Sequence, residues 1–169
     1  MKPRNALLPF SLTAAIIVVD QVTKALVESR VRMGDIAFSA FGDFFWLVRQ
    51  HNLGMAFSLL DDLPPVVRSI ALIVLPLALI GVLLYYYFKH EDLAGLQRWL
   101  VCGIAGGGLG NLIDRVFRPQ GVVDFLSFKF YGILGYERWP TFNVADSAVV
   151  VSAILLAATT IAADLRKAK

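Results

Sequence analysis

Apolar and polar positions alternate along this chain in long blocks rather than residue by residue. Four apolar blocks stand out: Leu7–Val27, Val66–Phe88, Leu96–Val116 and Asn143–Ala163. A helix needs about 20 mostly apolar residues to cross roughly 30 Å of hydrocarbon, and each block reaches that length. The pattern therefore predicts four spanning helices. The first block also fits a cleaved signal peptide, because Lys2 and Arg4 precede an apolar core. No small-x-small cleavage site follows Val19, and helix-favouring residues continue through Ala25–Val27, which favours a retained helix.

The two long mixed segments between blocks, 28–65 and 117–141, carry extended-chain patterns of their own. In "FGDFFWLVRQHNLGMAFSLL", β-prone residues flank Asn52-Leu53-Gly54, which predicts a hairpin folded at that tripeptide. Phe41, Phe44, Phe45, Trp46 and Phe57 suit the headgroup zone, so the sheet is expected to rest on the outer membrane surface. Pro64-Pro65 ends the segment and starts the second helix, a position that tolerates proline. In the other segment, Arg118-Pro119-Gln120-Gly121 reads as a turn and "VVDFLSFKF" as a short extended piece. No internal repeat interrupts residues 1–169, which read as one membrane domain.

Composition agrees with the blocks. The chain is 57% hydrophobic and 17% charged, whereas soluble domains carry about 45–50% and about 25%. A net charge of +3 suggests no nucleic-acid partner. Basic residues cluster beside the apolar blocks: Lys2 and Arg4, Lys89, then Arg166, Lys167 and Lys169. Cytoplasmic loops are enriched in such residues, so both termini and the 89–95 loop are expected inside and the two long segments outside. Arg30, Arg32 and Arg118 run against that assignment.

The third block opens on "CGIAGGGLGN", with glycines spaced four apart. That spacing permits close helix approach in lipid. It lacks the pattern of a phosphate-binding loop, in which a second glycine set or a Lys-Ser/Thr pair follows. Cys102, the lone cysteine, excludes an internal disulfide and reads as a small buried residue.

Candidate chemistry gathers at one membrane face. Antiparallel alternation brings Asp20, Gln21 and Lys24 together with Asn111, Asp114 and Arg115, and with Asn143 and Asp146. Asp124 joins them from the second outer segment. Ionisable groups within spans usually face the bundle interior and mark function. Each also has a plain reading. Asp20 and Lys24 fit an ordinary i, i+4 ion pair, Asp114 and Arg115 fit charge neutralisation, and Asp146 fits a helix N-terminal acid. His51 and His90 are expected on opposite sides of the membrane, which rules out a histidine-based zinc site. Ser147 has only the remote Lys24 as a base, so a serine hydrolase is a poor second reading. Paired carboxylates remain. An ion or proton path through the same acids is the alternative, although such paths favour midplane charges and broken helices. A non-catalytic scaffold is a third.

The ordered motifs "DQVTK" (Asp20–Lys24), "NLGMAF" (Asn52–Phe57), "GNLIDR" (Gly110–Arg115), "VVDF" (Val122–Phe125) and "FNVADS" (Phe142–Ser147) resemble the lipoprotein signal peptidase (signal peptidase II) family. The resemblance implies an aspartic endopeptidase that cuts bacterial prolipoproteins just before a diacylglyceryl-modified cysteine. It implies a four-helix transmembrane bundle with a small extracytoplasmic β-sheet, that is, an all-α integral membrane fold. By motif, Asp124 and Asp146 are the catalytic pair. Asn52, Gly54, Asn111, Arg115 and Asn143 fall at substrate-site positions, and Asp20, Lys24 and Asp114 at supporting ones. No metal or other cofactor is expected. The implied partners are diacylated prolipoproteins and membrane lipid, for a monomer in the bacterial inner membrane with its site at the outer face. Two departures stand out: Met55 replaces a smaller residue, and the segment holding "FKFYGILGYERW" is longer than the family pattern.

Overall fold

The computed structural model describes residues 6–54, 64–90, 93 and 95–167. Its elements run α1 (Phe10–Arg30), β1 (Ile36–Ala40), β2 (Phe45–Asn52), α2 (Pro65–Lys89), α3 (Gly95–Phe117), β3 (Val122–Phe128) and α4 (Val144–Lys167). All four helices are long and apolar enough to cross a membrane. They follow the four apolar blocks, with ends displaced by up to four residues. Pro9 stands at the N-cap of α1, and Pro65 opens α2.

The packing centre is α3, which touches each of the other three helices and is largely buried, while they expose most of their surface. Its glycines explain that position. A Cβ on Gly106 would lie 3.0 Å from the Thr13 Cα of α1, and one on Gly107 would collide with the Ala145 carbonyl oxygen of α4. Gly103 likewise leaves room for the Ser152 hydroxyl, and Gly110 for the Asp20 carboxylate. The stripe therefore serves backbone approach on two sides of one helix. Cys102 is buried in this contact, its carbonyl oxygen accepting from the Thr13 hydroxyl at 2.7 Å.

Three antiparallel strands form a sheet in the order β1-β2-β3. The hairpin turns at residues 41–44, not at the tripeptide 52–54 expected from sequence. Gly42 takes the left-handed backbone there (φ 62°), and Asp43 accepts from Ser39 Oγ at 3.0 Å and Trp46 Nε1 at 3.1 Å. β2 then runs unbroken to Asn52, because β3 supplies partners that far: Gln50 pairs Asp124, His51 pairs Val123 and Asn52 pairs Val122. Phe41 and Phe44 are exposed, Phe45 packs on Phe128, and Trp46 lies under the Arg138 guanidinium at 3.6 Å. Met55 and Phe57 fall outside the described residues, as do Lys2, Arg4 and Lys169.

The turn after α3 forms as expected, with the Gly121 N–H donating to the Arg118 carbonyl at 3.0 Å. This turn aims β3 back across the ends of the helices. Val123 and Phe125 then pack on Val27 and Val31 of α1, which fixes the sheet against the bundle.

Candidate active site

Lys24 is the organising charge. Its ammonium is fully buried and contacts Asp20 Oδ2 at 2.7 Å, Asp114 Oδ2 at 2.6 Å and Asn111 Oδ1 at 2.9 Å. The ammonium thus has one hydrogen-bond acceptor, Asn111, and two paired carboxylates. Asp20 spends its other oxygen on the Ala145 N–H at 2.9 Å, tying α1 to the start of α4. Asp114 is met from outside by Gln21 Nε2 at 2.9 Å and Arg118 Nε at 3.1 Å. Arg118 also pairs with Glu28. The i, i+4 spacing of Asp20 and Lys24 thus belongs to a buried cluster rather than to an interfacial ion pair.

This cluster sets the next layer. The Asn111 Oδ1 accepts from Lys24 and also from Asn143 Nδ2 at 3.1 Å, so its own Nδ2 faces Asp146 Oδ1 at 2.7 Å. A lysine cannot accept, so the contact with Lys24 determines which way the Asn111 amide points.

Asp124 and Asp146 both open onto one cavity of about 620 Å³. Asp124 comes from the middle of β3 and Asp146 from the first turn of α4. Asn143 joins them, donating from Nδ2 to Asp124 Oδ1 at 2.7 Å and from its backbone N–H to Asp146 Oδ2 at 3.1 Å. Asn52, at the end of β2, donates to Asp124 Oδ2 at 3.1 Å. Burial pushes the Asp124 carboxyl up to about 7, and the nearby Asp146 charge adds to the shift; the two amide donors oppose it without cancelling it. Two carboxylates this close favour a single negative charge between them.

Asn52, Asn111 and Arg115 line the cavity. Gly54 and Asn143 do not line it. The Gly54 N–H donates to Asn52 Oδ1 at 3.0 Å and so orients Asn52, while Asn143 is fully buried and occupied with the two carboxylates. Arg115 feels the charges of Asp146, Asp124 and Asp114. It reaches the cavity, and its buried Nε has no hydrogen-bond partner among the described residues. Sequence reasoning missed the opposite wall, Trp139, Pro140, Thr141 and Phe142 with Val150 and Val151. It also passed over the tie between Arg118 and Asp114, although their i, i+4 spacing was a usable signal.

A family model described as signal peptidase (SPase) II matches residues 12–162. Among curated proteins, the chain is 48% identical over 162 residues to a lipoprotein signal peptidase of Treponema denticola, covering 96% of this chain and 93% of that one. It is 41% identical over 149 residues to one of Treponema pallidum, covering 88% and 80%. A solved bacterial membrane enzyme superposes with a TM-score of 0.78 at 24% identity, over 95% of this chain and 91% of that one.

Proposed function

The chain belongs to the signal peptidase II family, and we propose that Asp124 and Asp146 are its catalytic pair. It is a multi-pass membrane protein and an aspartic endopeptidase that removes signal peptides from prolipoproteins. The observation that carries the pair is their shared cavity, with the buried Asn143 bonded to both carboxylates.

The surroundings give the two acids different tasks. Asp146 accepts from Asn111 Nδ2 and the Asn143 N–H in the first turn of α4, where the helix dipole favours negative charge. Asp124, its carboxyl near 7, holds the shared proton. Asp146 takes a proton from a water as the water oxygen attacks the scissile carbonyl carbon, and Asp124 gives its proton to the carbonyl oxygen. The resulting diol collapses as the C–N bond breaks. Asp146 passes its proton to the leaving amine, and a diol hydroxyl returns one to Asp124. The pair ends as it began.

The substrate is a prolipoprotein whose cysteine already carries diacylglycerol. Its acyl chains stay in the bilayer, held by about 0.8 kcal/mol per buried CH₂, which brings the scissile bond to the helix ends where water enters. A second hollow of about 1140 Å³ lies between α2, α3 and α4, lined by apolar residues including Leu79, Ile80, Leu83, Ile104 and Leu156. Its apolar walls suit the signal peptide helix. The enzyme works as one module and a monomer in the bacterial inner membrane, with both termini cytoplasmic and the pair at the outer face. The clustered Arg166 and Lys167 at the end of α4 support that orientation.

Turnover of a diacylated prolipoprotein by purified Asp124→Asn and Asp146→Asn variants tests the assignment. Each is expected to lose several orders of magnitude, and the double variant to be little worse than either, because the two act as a unit. Substantial turnover by either folded variant would remove the pair from the mechanism.

A further inference from the structure

The segment between Phe128 and Trp139 is an apolar knuckle. Its stem is closed by a bridge between Lys129 and Arg138 and by the Phe130 N–H donating to the Glu137 carbonyl at 2.8 Å. Its tip is a single 3₁₀ turn, Ile133–Gly135. Leu134 is 80% exposed, Tyr131 65% and Ile133 54%.

The backbone is bent to achieve this. Tyr131 and Leu134 have φ of 54° and 56°, a left-handed conformation that bulky residues rarely adopt. A third bulky residue shares it: Phe41, with φ 56° and 85% exposure, at the β1–β2 turn. The stem of the knuckle is tied to that turn. The Lys129 N–H donates to the Phe44 carbonyl at 2.8 Å, and Arg138 Nη1 to the Asp43 carbonyl at 2.9 Å. Left-handed backbone thus recurs where one end of the sheet turns large apolar side chains away from the protein.

We propose that the knuckle 130–137 inserts its tip, Tyr131, Ile133 and Leu134, into the outer leaflet of the bilayer beside the bundle. This rests on the reading that the sheet lies on the outer face. Three observations select lipid as the occupant. The patch is small and stands at the tip of a turn, as a wedge among acyl chains does and a protein-docking groove does not. Lys129 stands at its base, 5.6 Å from the Tyr131 ring, where a cation meets lipid phosphates. The chain also returns from the knuckle directly to the lipid-exposed helix α4, through Trp139, Pro140, Thr141 and Phe142 of the cavity wall. Trp139 packs edge-on against Phe130 with centroids 5.0 Å apart, so the wedge is packed against the wall. Inserting the tip holds that wall at the level where lipidated cysteines arrive.

The test uses single-cysteine, spin-labelled proteins in a Cys102→Ala background, reconstituted in phosphatidylethanolamine–phosphatidylglycerol bilayers. Labels at Leu134→Cys are compared with labels at Leu77→Cys, on the exposed face of α2, and at Gln120→Cys, in the turn after α3. The Leu134 label is expected to favour oxygen over a water-soluble nickel chelate, as the Leu77 label does. Grouping with Gln120 would overturn the proposal, as would protection that appears only at high protein density, which signals contact between copies. An Ile133→Ser/Leu134→Ser variant should lose about tenfold in kcat/KM on bilayer-embedded prolipoprotein and nothing in detergent micelles. An equal effect in both, or none in either, would count against it. Side and depth are read separately: an impermeant thiol reagent on intact cells reports the outer-face assignment, and the spin label reports the insertion.

Discussion

Asn143 and Asp146 cap each other: the Asn143 N–H donates to Asp146 Oδ2 at 3.1 Å, and the Asp146 N–H to Asn143 Oδ1 at 2.9 Å. This reciprocal box starts α4. It also fixes the Asp146 carboxylate and leaves the Asn143 Nδ2 free to reach Asp124. Helix capping and alignment of the acids are one arrangement.

Separating the two roles is the first expectation. Asn143→Ser keeps a capping oxygen, but its shorter side chain does not reach Asp124 in place of the amide donor. It should melt within about 1 kcal/mol of the parent yet lose roughly 10²–10³ in kcat. Melts and turnover on the same preparations decide it. Parallel losses in both would make Asn143 a cap and nothing more.

The Asp124 carboxyl sets a pH dependence. Its value is about 7 in the folded chain and about 3.9 in an unfolded one. Between those values the folded state holds a proton that the unfolded state has released. Stability therefore declines as pH rises from about 4 to about 7, and this contribution is constant above and below that window. Asp124→Asn should flatten the decline and be more stable at pH 8 by roughly 2–4 kcal/mol. With Asp124 as the acid, kcat/KM of the parent should fall above about pH 7. Identical melting profiles for parent and variant from pH 5 to 8 would contradict the assignment.

Lys24 answers to burial. Lys24→Met strands Asp20 without its cation and leaves Asp114 to Arg118, and breaking such a buried pair costs about 3–5 kcal/mol. Neutralising all three together, Asp20→Asn/Lys24→Met/Asp114→Asn, should recover most of that loss. Thermal melts of the single and triple variants make the comparison. A triple variant less stable than the single one would mean the charges themselves hold the helices together.

Glycine packing predicts a contrast within the bundle. A methyl group at Gly107 collides with the Ala145 carbonyl and comes within 2.7 Å of Val149 Cγ2, whereas one at Gly81 meets nothing within 4 Å. Gly107→Ala should lower stability by about 1–3 kcal/mol, and because Ala145 precedes Asp146 it should lower turnover too. Gly81→Ala should be neutral. Equal melts would show that α3 and α4 can separate without consequence.

The sequence by itself determined the spans and the convergence of polar groups on one face. Both follow from local quantities, the length of apolar runs and the alternation of antiparallel helices. It also singled out Asp124 and Asp146 as the pair to test, because the motifs around them are legible without any knowledge of their contacts. Tertiary structure decided what local spacing leaves degenerate. By local pattern Asn52-Leu53-Gly54 reads as the turn, and only pairing with β3, some seventy residues later, extends β2 through His51 and Asn52 and moves the bend to Gly42. Asp20 and Lys24 have the same i, i+4 spacing at an interface or in a core. The close approach of α3 along its glycines seals them inside and adds Asp114 and Asn111 as partners. Gly54 and Asn143 sit in substrate-site motifs, yet neither touches the cavity, since a buried donor satisfies the nearest acceptor and that acceptor comes from a distant part of the chain. Chain-local chemistry names the residues, and desolvation with its demand for partners assigns their tasks.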